Sequence, residues 1–149
     1  MVLWETHMNY KIREVDGHDD EIADHLSTLH TLTFFDPAIF ANPEEGFWWL
    51  ACHDKEPVAF AGMIKSTLVK NAYYFHRVGV LKEARGHGLQ RRLMRCIEMK
   101  AFRLGADRVV SDTTENIPSA VNFCLAGYLP FQPLYPWAFP NSIYWMKEL

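Results

Sequence analysis

The sequence lacks several things, and each absence closes off a class of function. Cysteine is scarce: Cys52, Cys96 and Cys124 are odd in number and widely spaced, which gives neither a disulfide framework nor a thiolate metal pattern and suits a reducing compartment. No stretch of about 20 apolar residues occurs, so no membrane span is expected. Positive charge is not in surplus, with 15 Lys+Arg against 18 Asp+Glu and a net charge of -3. That disfavours general nucleic-acid binding, which needs a broad basic face. The opening MVLWETHMNYKIREVDGHDD has no basic segment followed by an apolar run, so no signal peptide is expected and the cytoplasm is the expected location. No repeat, low-complexity tract or linker is present. What remains is an ordinary soluble composition, 49% apolar and 22% charged over 149 residues, read as one domain over 1–149. A chain of this length buries roughly 70% of its unfolded surface.

Periodicity predicts the elements. YKIREVD (10–16) alternates as a strand, and Ile22, Leu26, Leu29 and Leu32 space as a helix face, with Asp19 and Asp20 near its positive end. Phe34 to Glu45 carries Pro37, Pro43, Ile39 and several phenylalanines, as an aromatic loop or a short second helix. GFWWLACH, PVAFAGMIKST and AYYFHRVGVL, separated by short polar breaks, read as an antiparallel meander. Leu89 to Leu104 is the clearest helix, with Leu89, Leu93, Ile97 and Leu104 as its buried stripe and Gly105 as its stop. DRVVSDTT follows as a strand, then a helix from Asn116 to Ala126 with Pro118 in its first turn and Gly127 behind it. The last strand is SIYWMKEL, and a short one lies near Phe131. The expected fold is α/β (α+β), a mixed, mostly antiparallel sheet of six to seven strands flanked by about four helices.

The densest positive charge follows two glycines. Residues 85–103 hold Arg85, Arg91, Arg92, Arg95, Lys100 and Arg103 against Glu98. The first turn of a helix presents N–H groups without intrahelical partners, and the helix dipole places partial positive charge there. Gly86 and Gly88 let a phosphate approach the backbone closely. A phosphate-bearing ligand at that turn is the expectation. The spacing is neither GxxxxGK[ST] nor GxGxxG after a first parallel strand, so triphosphate hydrolysis and dinucleotide binding are not expected.

Arg85-Gly86-His87-Gly88-Leu89-Gln90 resembles the Q/R-x-x-G-x-G/A signature of the GNAT family of N-acetyltransferases, through Arg85 and Gly88. VGVLKEA before it, and Asn116 followed by a helix and Gly127-Tyr128, resemble that family too, as does the element order. The resemblance implies acetyl-CoA as co-substrate, with no metal. It implies that main-chain groups of Val78 and Val80, with Gly79 at a bulge between them, hold the pantetheine arm. Backbone N–H groups from Arg85 through Gly86, His87, Gly88, Leu89 and Gln90 to Arg91 would hold the pyrophosphate, and Asn116, Ser119, Asn122 and Phe123 would line the same channel. Two departures stand out. Gln90 replaces a small residue, and either narrows the cradle or hydrogen-bonds a phosphate. Phe123 stands where many members have a tyrosine that protonates the departing thiolate.

Acetyl transfer to an amine needs a base, because a lysine-like amine has a pKa of about 10.4 and deprotonation at pH 7 costs about 4–5 kcal/mol. It also needs a donor for the oxyanion, for which a strand N–H near Val78 serves. The thiolate leaves tolerably on its own, since a thiol pKa lies near roughly 8.5. His76 is the candidate base: period-2 geometry puts Tyr74, His76, Val78 and Val80 on one strand face unless Gly79 disturbs it. Relatives carry a glutamate or histidines near this point. Tyr128 and Tyr144 are candidate replacement acids. His87 is expected to be exposed, and Cys124 has no evident catalytic partner. His7, His18, His25, His30 and His53 have no ligand spacing, so no metal site is expected.

The resemblance places the acceptor among Phe34, Phe35, Asp36 and Phe40, with Tyr135, Trp137 and Phe139, and Trp48, Tyr73 and Tyr74 as a further wall. Asp36 or Glu45 would supply an acid. A small-molecule or peptide amine is the expected acceptor. The alternatives are a non-catalytic acyl-CoA-binding protein, transfer of a longer acyl group, and acetylation of a protein amine. YPWAFPNSIYW suits either a homodimer interface or a lid over the acceptor.

Overall fold

The computed structural model describes residues 9–34 and 42–149. Its elements run β1 (Tyr10–Val15), α1 (Asp20–Thr33), β2 (Phe47–His53), β3 (Glu56–Lys65), β4 (Ala72–Val80), a 3-10 turn (Lys82–Ala84), α2 (Leu89–Arg103), β5 (Arg108–Thr114), α3 (Ile117–Leu125), β6 (Leu129–Phe131) and β7 (Ser142–Glu148). The seven strands form one sheet in the order β1-β2-β3-β4-β5-β7-β6. Every pairing is antiparallel except β4 with β5. The expected mixed sheet and meander are therefore present. Among the described residues there are three α-helices rather than about four, and most of the Phe34–Glu45 stretch falls outside the described residues.

Local chemistry sets the element ends. Asp54 and Lys55 both have positive φ, 47° and 71°, giving the two-residue turn whose twist matches a β-hairpin. Asp19 caps α1, accepting from the N–H groups of Glu21 and Ile22. Asn116 caps α3 by accepting from Ser119 N–H, 3.1 Å. Helices α2 and α3 both end in a left-handed glycine, Gly105 and Gly127, followed by an amide that reaches back five residues, Ala106 to Ala101 and Tyr128 to Phe123.

Apolar clusters cover both faces of the sheet. One packs α2 and α3 against it through Leu89, Leu93, Ile97, Phe75 and Phe123; the other packs α1 through Leu26, Leu29, Trp48, Leu50 and Phe60. Two helix stripes need correction. Leu32 is exposed while His30 is buried, because three residues past Leu29 overshoots the buried face. Leu104 caps α2 outside its last turn and is half-exposed, with Met94 and Ala101 completing the stripe.

The decisive irregularity lies in β4. Gly62 of β3 pairs with Arg77 and Met63 with Phe75, so His76 is the extra residue of a bulge. Gly79 pairs regularly with Phe60, so the expected bulge at Gly79 is displaced to His76. A bulge reverses alternation. Tyr73, Phe75, Val78 and Val80 pack on the α2 face. His76 lies against Trp48, Arg77 against Phe34, and Gly79 against Thr33 and Phe60, all on the α1 face. The expected single face of Tyr74, His76, Val78 and Val80 is thus split in two.

Candidate active site

The parallel pairing of β4 and β5 stops at Tyr74 with Val110. Ser111 Oγ donates to the Phe75 carbonyl at 2.6 Å, and beyond that tether the strands diverge. Residues 76–80 therefore have no strand partner on the β5 side. The gap opens into a cleft of about 530 Å³, lined by Val78, Gly79, Val80, Arg85, Gly86, Gly88, Leu89, Gln90, Arg91, Asn116, Ser119 and Asn122 among others.

At one end of that cleft the chain turns into α2. Gly86 and Gly88 have φ of 83° and 74°, a region that side-chain-bearing residues avoid. A Cβ on either would meet nothing within 4 Å, so backbone conformation rather than crowding requires glycine there, and the space above it is open. Arg85 N–H closes the 3-10 turn onto the Lys82 carbonyl, and the first helical bond is Arg92 N–H to Gly88. Between them, the N–H groups from Gly86 to Arg91 have no backbone acceptor among the described residues. This array, at the positive end of a 15-residue helix, can receive an anion. Arg85 N–H drops out of the expected cradle.

The positive charge of α2 is less concentrated than its sequence suggests. Arg92 donates to the Tyr10 carbonyl and Lys100 pairs with Glu14 at 3.2 Å. Arg85 and Arg91 line the cleft, where Arg85 Nε donates to the Val80 carbonyl and Arg91 to that of Leu125. His87 is exposed, its ring 5.3 Å from that of Tyr10, and lies off the cleft. Gln90 is turned toward α3: its Oε1 accepts from Asn122 Nδ2 at 3.0 Å, while its Nε2 is enclosed and unpartnered among the described residues.

A second pocket of about 480 Å³ adjoins the cleft, sharing Phe34, Val78, Asn116 and Ser119 with it. Tyr74, His76, Arg77, Asp112, Trp137 and Phe139 line the remainder. Burial, and secondarily the Arg77 guanidinium, pushes the His76 imidazole down to about 4. Its Nε2 is enclosed and unpartnered among the described residues. Asp112 Oδ2 accepts from Tyr74 Oη at 2.5 Å and from Trp137 Nε1 at 2.8 Å. Burial first, and then the Asp112 charge, raises the Tyr74 phenol well above its usual range, so Tyr74 remains a proton donor to that carboxylate.

Several expected residues lie elsewhere. Phe123 is buried against Phe75, Tyr128 and Trp145 and borders the second pocket rather than the cleft. The Tyr128 hydroxyl donates to Glu98 on the α2 face and Tyr144 Oη accepts from Ala138 N–H; neither tyrosine lines the cleft or the pocket. Tyr73 packs on the α2 face, Tyr135 is exposed, Trp48 lies beneath His76, and Glu45 accepts from Trp48 Nε1 through its carbonyl. Phe35, Asp36 and Phe40 fall outside the described residues. The carboxylate that does line the pocket, Asp112, was not singled out; its one signal is a charge inside the otherwise buried run VVSDT. No helix is long and apolar enough to cross a membrane, and no cluster of three metal-ligating side chains occurs, among the described residues.

The family model described as the acetyltransferase (GNAT) family matches residues 9–128. Solved structures share the fold. A protein of Desulfovibrio desulfuricans assigned to the GNAT family of acetyltransferases superposes with a TM-score of 0.77 at 15% identity, covering 94% of this chain and 99% of that one. The ribosomal-protein-S18-alanine N-acetyltransferase of Escherichia coli gives 0.73 at 12% identity, covering 94% of each chain. The PaiA N-acetyltransferase of Thermoplasma acidophilum, solved with coenzyme A, gives 0.74 at 10% identity, covering 95% of this chain and 100% of that one. No curated protein matches this chain.

Proposed function

Because the chain belongs to the acetyltransferase (GNAT) family and is an acetyl-CoA-dependent enzyme, we propose that it acetylates a primary amine of a small molecule by direct attack within a ternary complex. The observation that carries this is the shared wall of Phe34, Val78, Asn116 and Ser119, which joins the anion cleft to the aromatic pocket. A thioester delivered along β4 meets an acceptor at that wall. The unpartnered amides from Gly86 to Arg91 suit the diphosphate of coenzyme A, and the partnerless β5-side backbone of residues 76–80 suits its pantetheine arm.

Acetyl-CoA supplies the acetyl group as a thioester. The incoming ammonium gives up its first proton to solvent, and His76, held uncharged at neutral pH, is the base in the acceptor pocket for the second. As the free amine forms its C–N bond to the carbonyl carbon and the C–S bond breaks, the nitrogen becomes strongly acidic and passes its second proton to His76, while a backbone N–H near Val78 supports the oxyanion. Buried Phe123 offers no proton, so the sulfur departs as thiolate. A pocket of about 480 Å³ with aromatic walls is the size of a small-molecule site. The free cysteines Cys52, Cys96 and Cys124 suit work in the cytoplasm.

The test follows free thiol while the protein and acetyl-CoA meet a panel of small amines and short peptides. Thiol release with small primary amines is expected, and His76→Ala should lower kcat/KM by about 10²-fold or more. Calorimetric binding of coenzyme A with no thiol release on any acceptor would establish a non-catalytic binder instead. An unchanged pH–rate profile in His76→Ala would remove His76 as the base.

A further inference from the structure

We propose that Asp112 anchors a second cationic group on the acceptor, so that the amines preferred by this site carry two positive charges, as α,ω-diamines do. This rests on the acetyltransferase reading above.

The carboxylate is held in place but not neutralised. Both groups that fix Oδ2, the Tyr74 hydroxyl and the Trp137 indole N–H, are uncharged donors. Oδ1 has no partner among the described residues, and no Lys, Arg or His of those residues forms an ion pair with Asp112. A half-buried carboxylate without a counter-ion, in a pocket walled by Tyr74, Trp137 and Phe139, favours a cation from outside the chain. The faces of those rings add to that preference.

Position argues for a second cation rather than the reacting ammonium. The thioester end of the pocket is the wall shared with the anion cleft, at Phe34 and Val78. Arg77 lies over the Phe34 ring at 5.0 Å, and a positive charge there favours the uncharged amine that attack requires. A carboxylate beside the reacting nitrogen would instead hold its proton. Asp112, Tyr74 and Trp137 line the pocket but not the cleft, and Tyr74 and Trp137 also border a further apolar cavity of about 210 Å³ under Ile64–Leu68. One end of the acceptor is thus placed to lose its proton and the other to keep it.

Calorimetry on the coenzyme A-saturated protein tests this. The probes are 1,4-diaminobutane, 1,6-diaminohexane and 1,8-diaminooctane, each against the monoamine of the same chain length. At the best length the diamine should bind about 10-fold more tightly than its monoamine. Asp112→Asn, which keeps both hydrogen bonds but not the charge, should bring that ratio to about 1. Tyr74→Phe, which keeps the charge, should retain the preference. Equal or tighter binding of the monoamine at every length overturns the proposal without need of any variant, as does a preference that persists in Asp112→Asn. A wild-type protein that gives no heat with coenzyme A removes the acetyltransferase reading itself, a distinct result.

Discussion

The two halves of the site are made of different material. The cleft proposed for coenzyme A is a main-chain construction: amides from Gly86 to Arg91, the edge of β4 beyond its pairing with β5, and two left-handed glycines. The pocket proposed for the acceptor is a side-chain construction, with Phe34 from the end of α1, Tyr74, His76 and Arg77 from β4, Asp112 from β5, and Trp137 and Phe139 from the β6–β7 connection. Main-chain sites tolerate side-chain change so long as the backbone keeps its path. Side-chain sites can be rebuilt residue by residue on an unchanged sheet. Substitutions that bend the backbone should therefore strike the first half, and substitutions that alter charge or protonation the second.

The largest expected effect breaks the backbone half. Gly88→Val puts a β-branched residue at φ 74°, a conformation costing about 1–2 kcal/mol, and sets an isopropyl group in the open space over the amides. Coenzyme A affinity by calorimetry should fall by about 10³-fold, while the melting temperature drops only a few degrees.

The next effect belongs to the side-chain half and is read by pH. Burial holds His76 near 4 in the folded protein against 6.5 in the unfolded chain. Between those values the unfolded chain binds a proton that the folded one refuses, so stability from this group is intact above about 6.5 and is lost as pH falls toward 4. The loss amounts to about 3 kcal/mol. Denaturant unfolding of the wild type should steepen across that window relative to His76→Gln, and parallel pH curves would show that His76 is not held neutral.

Much of the backbone half was legible in sequence because its determinants are local. RGHGLQRRL states a turn, two glycines and a helix start within a single segment, and Asn116 with Pro118 states another. Even so, Arg92 and Lys100 were misread as ligand charge, because their partners Tyr10 and Glu14 lie about 80 residues away. The acceptor half was far less legible. The His76 bulge exists only as a register between β3 and β4, and nothing in AYYFHRVGV announces it. Asp112 becomes a site residue only when Tyr74 and Trp137 converge on it from distant segments.

A third substitution sharpens the comparison because it is also a glycine. A Cβ at Gly79 would lie 2.4 Å from Thr33 Oγ1 and 2.6 Å from Phe60, so this glycine is required by packing, unlike Gly86 and Gly88. Gly79→Ala should cost about 2 kcal/mol of stability, in the range of overpacked cores. A ranking in which Gly79→Ala harms coenzyme A binding more than Gly88→Val would erase the distinction between a packed glycine and a conformational one.

The smallest effect lies where the two materials meet. Gln90 brings a side chain into the main-chain half, with one end tied to Asn122 and an enclosed Nε2 lacking a partner among the described residues. An unsatisfied buried amide is a cost to the free protein that a bound acceptor oxygen can relieve. Gln90→Ala removes that cost together with the link to Asn122, whose amide is half-exposed and can turn to water. The expected outcome is a melting temperature that holds or rises slightly while coenzyme A affinity falls about 5-fold, near 1 kcal/mol. A lowered melting temperature with unchanged affinity would make Gln90 a brace between α2 and α3 and leave the cradle to the backbone alone.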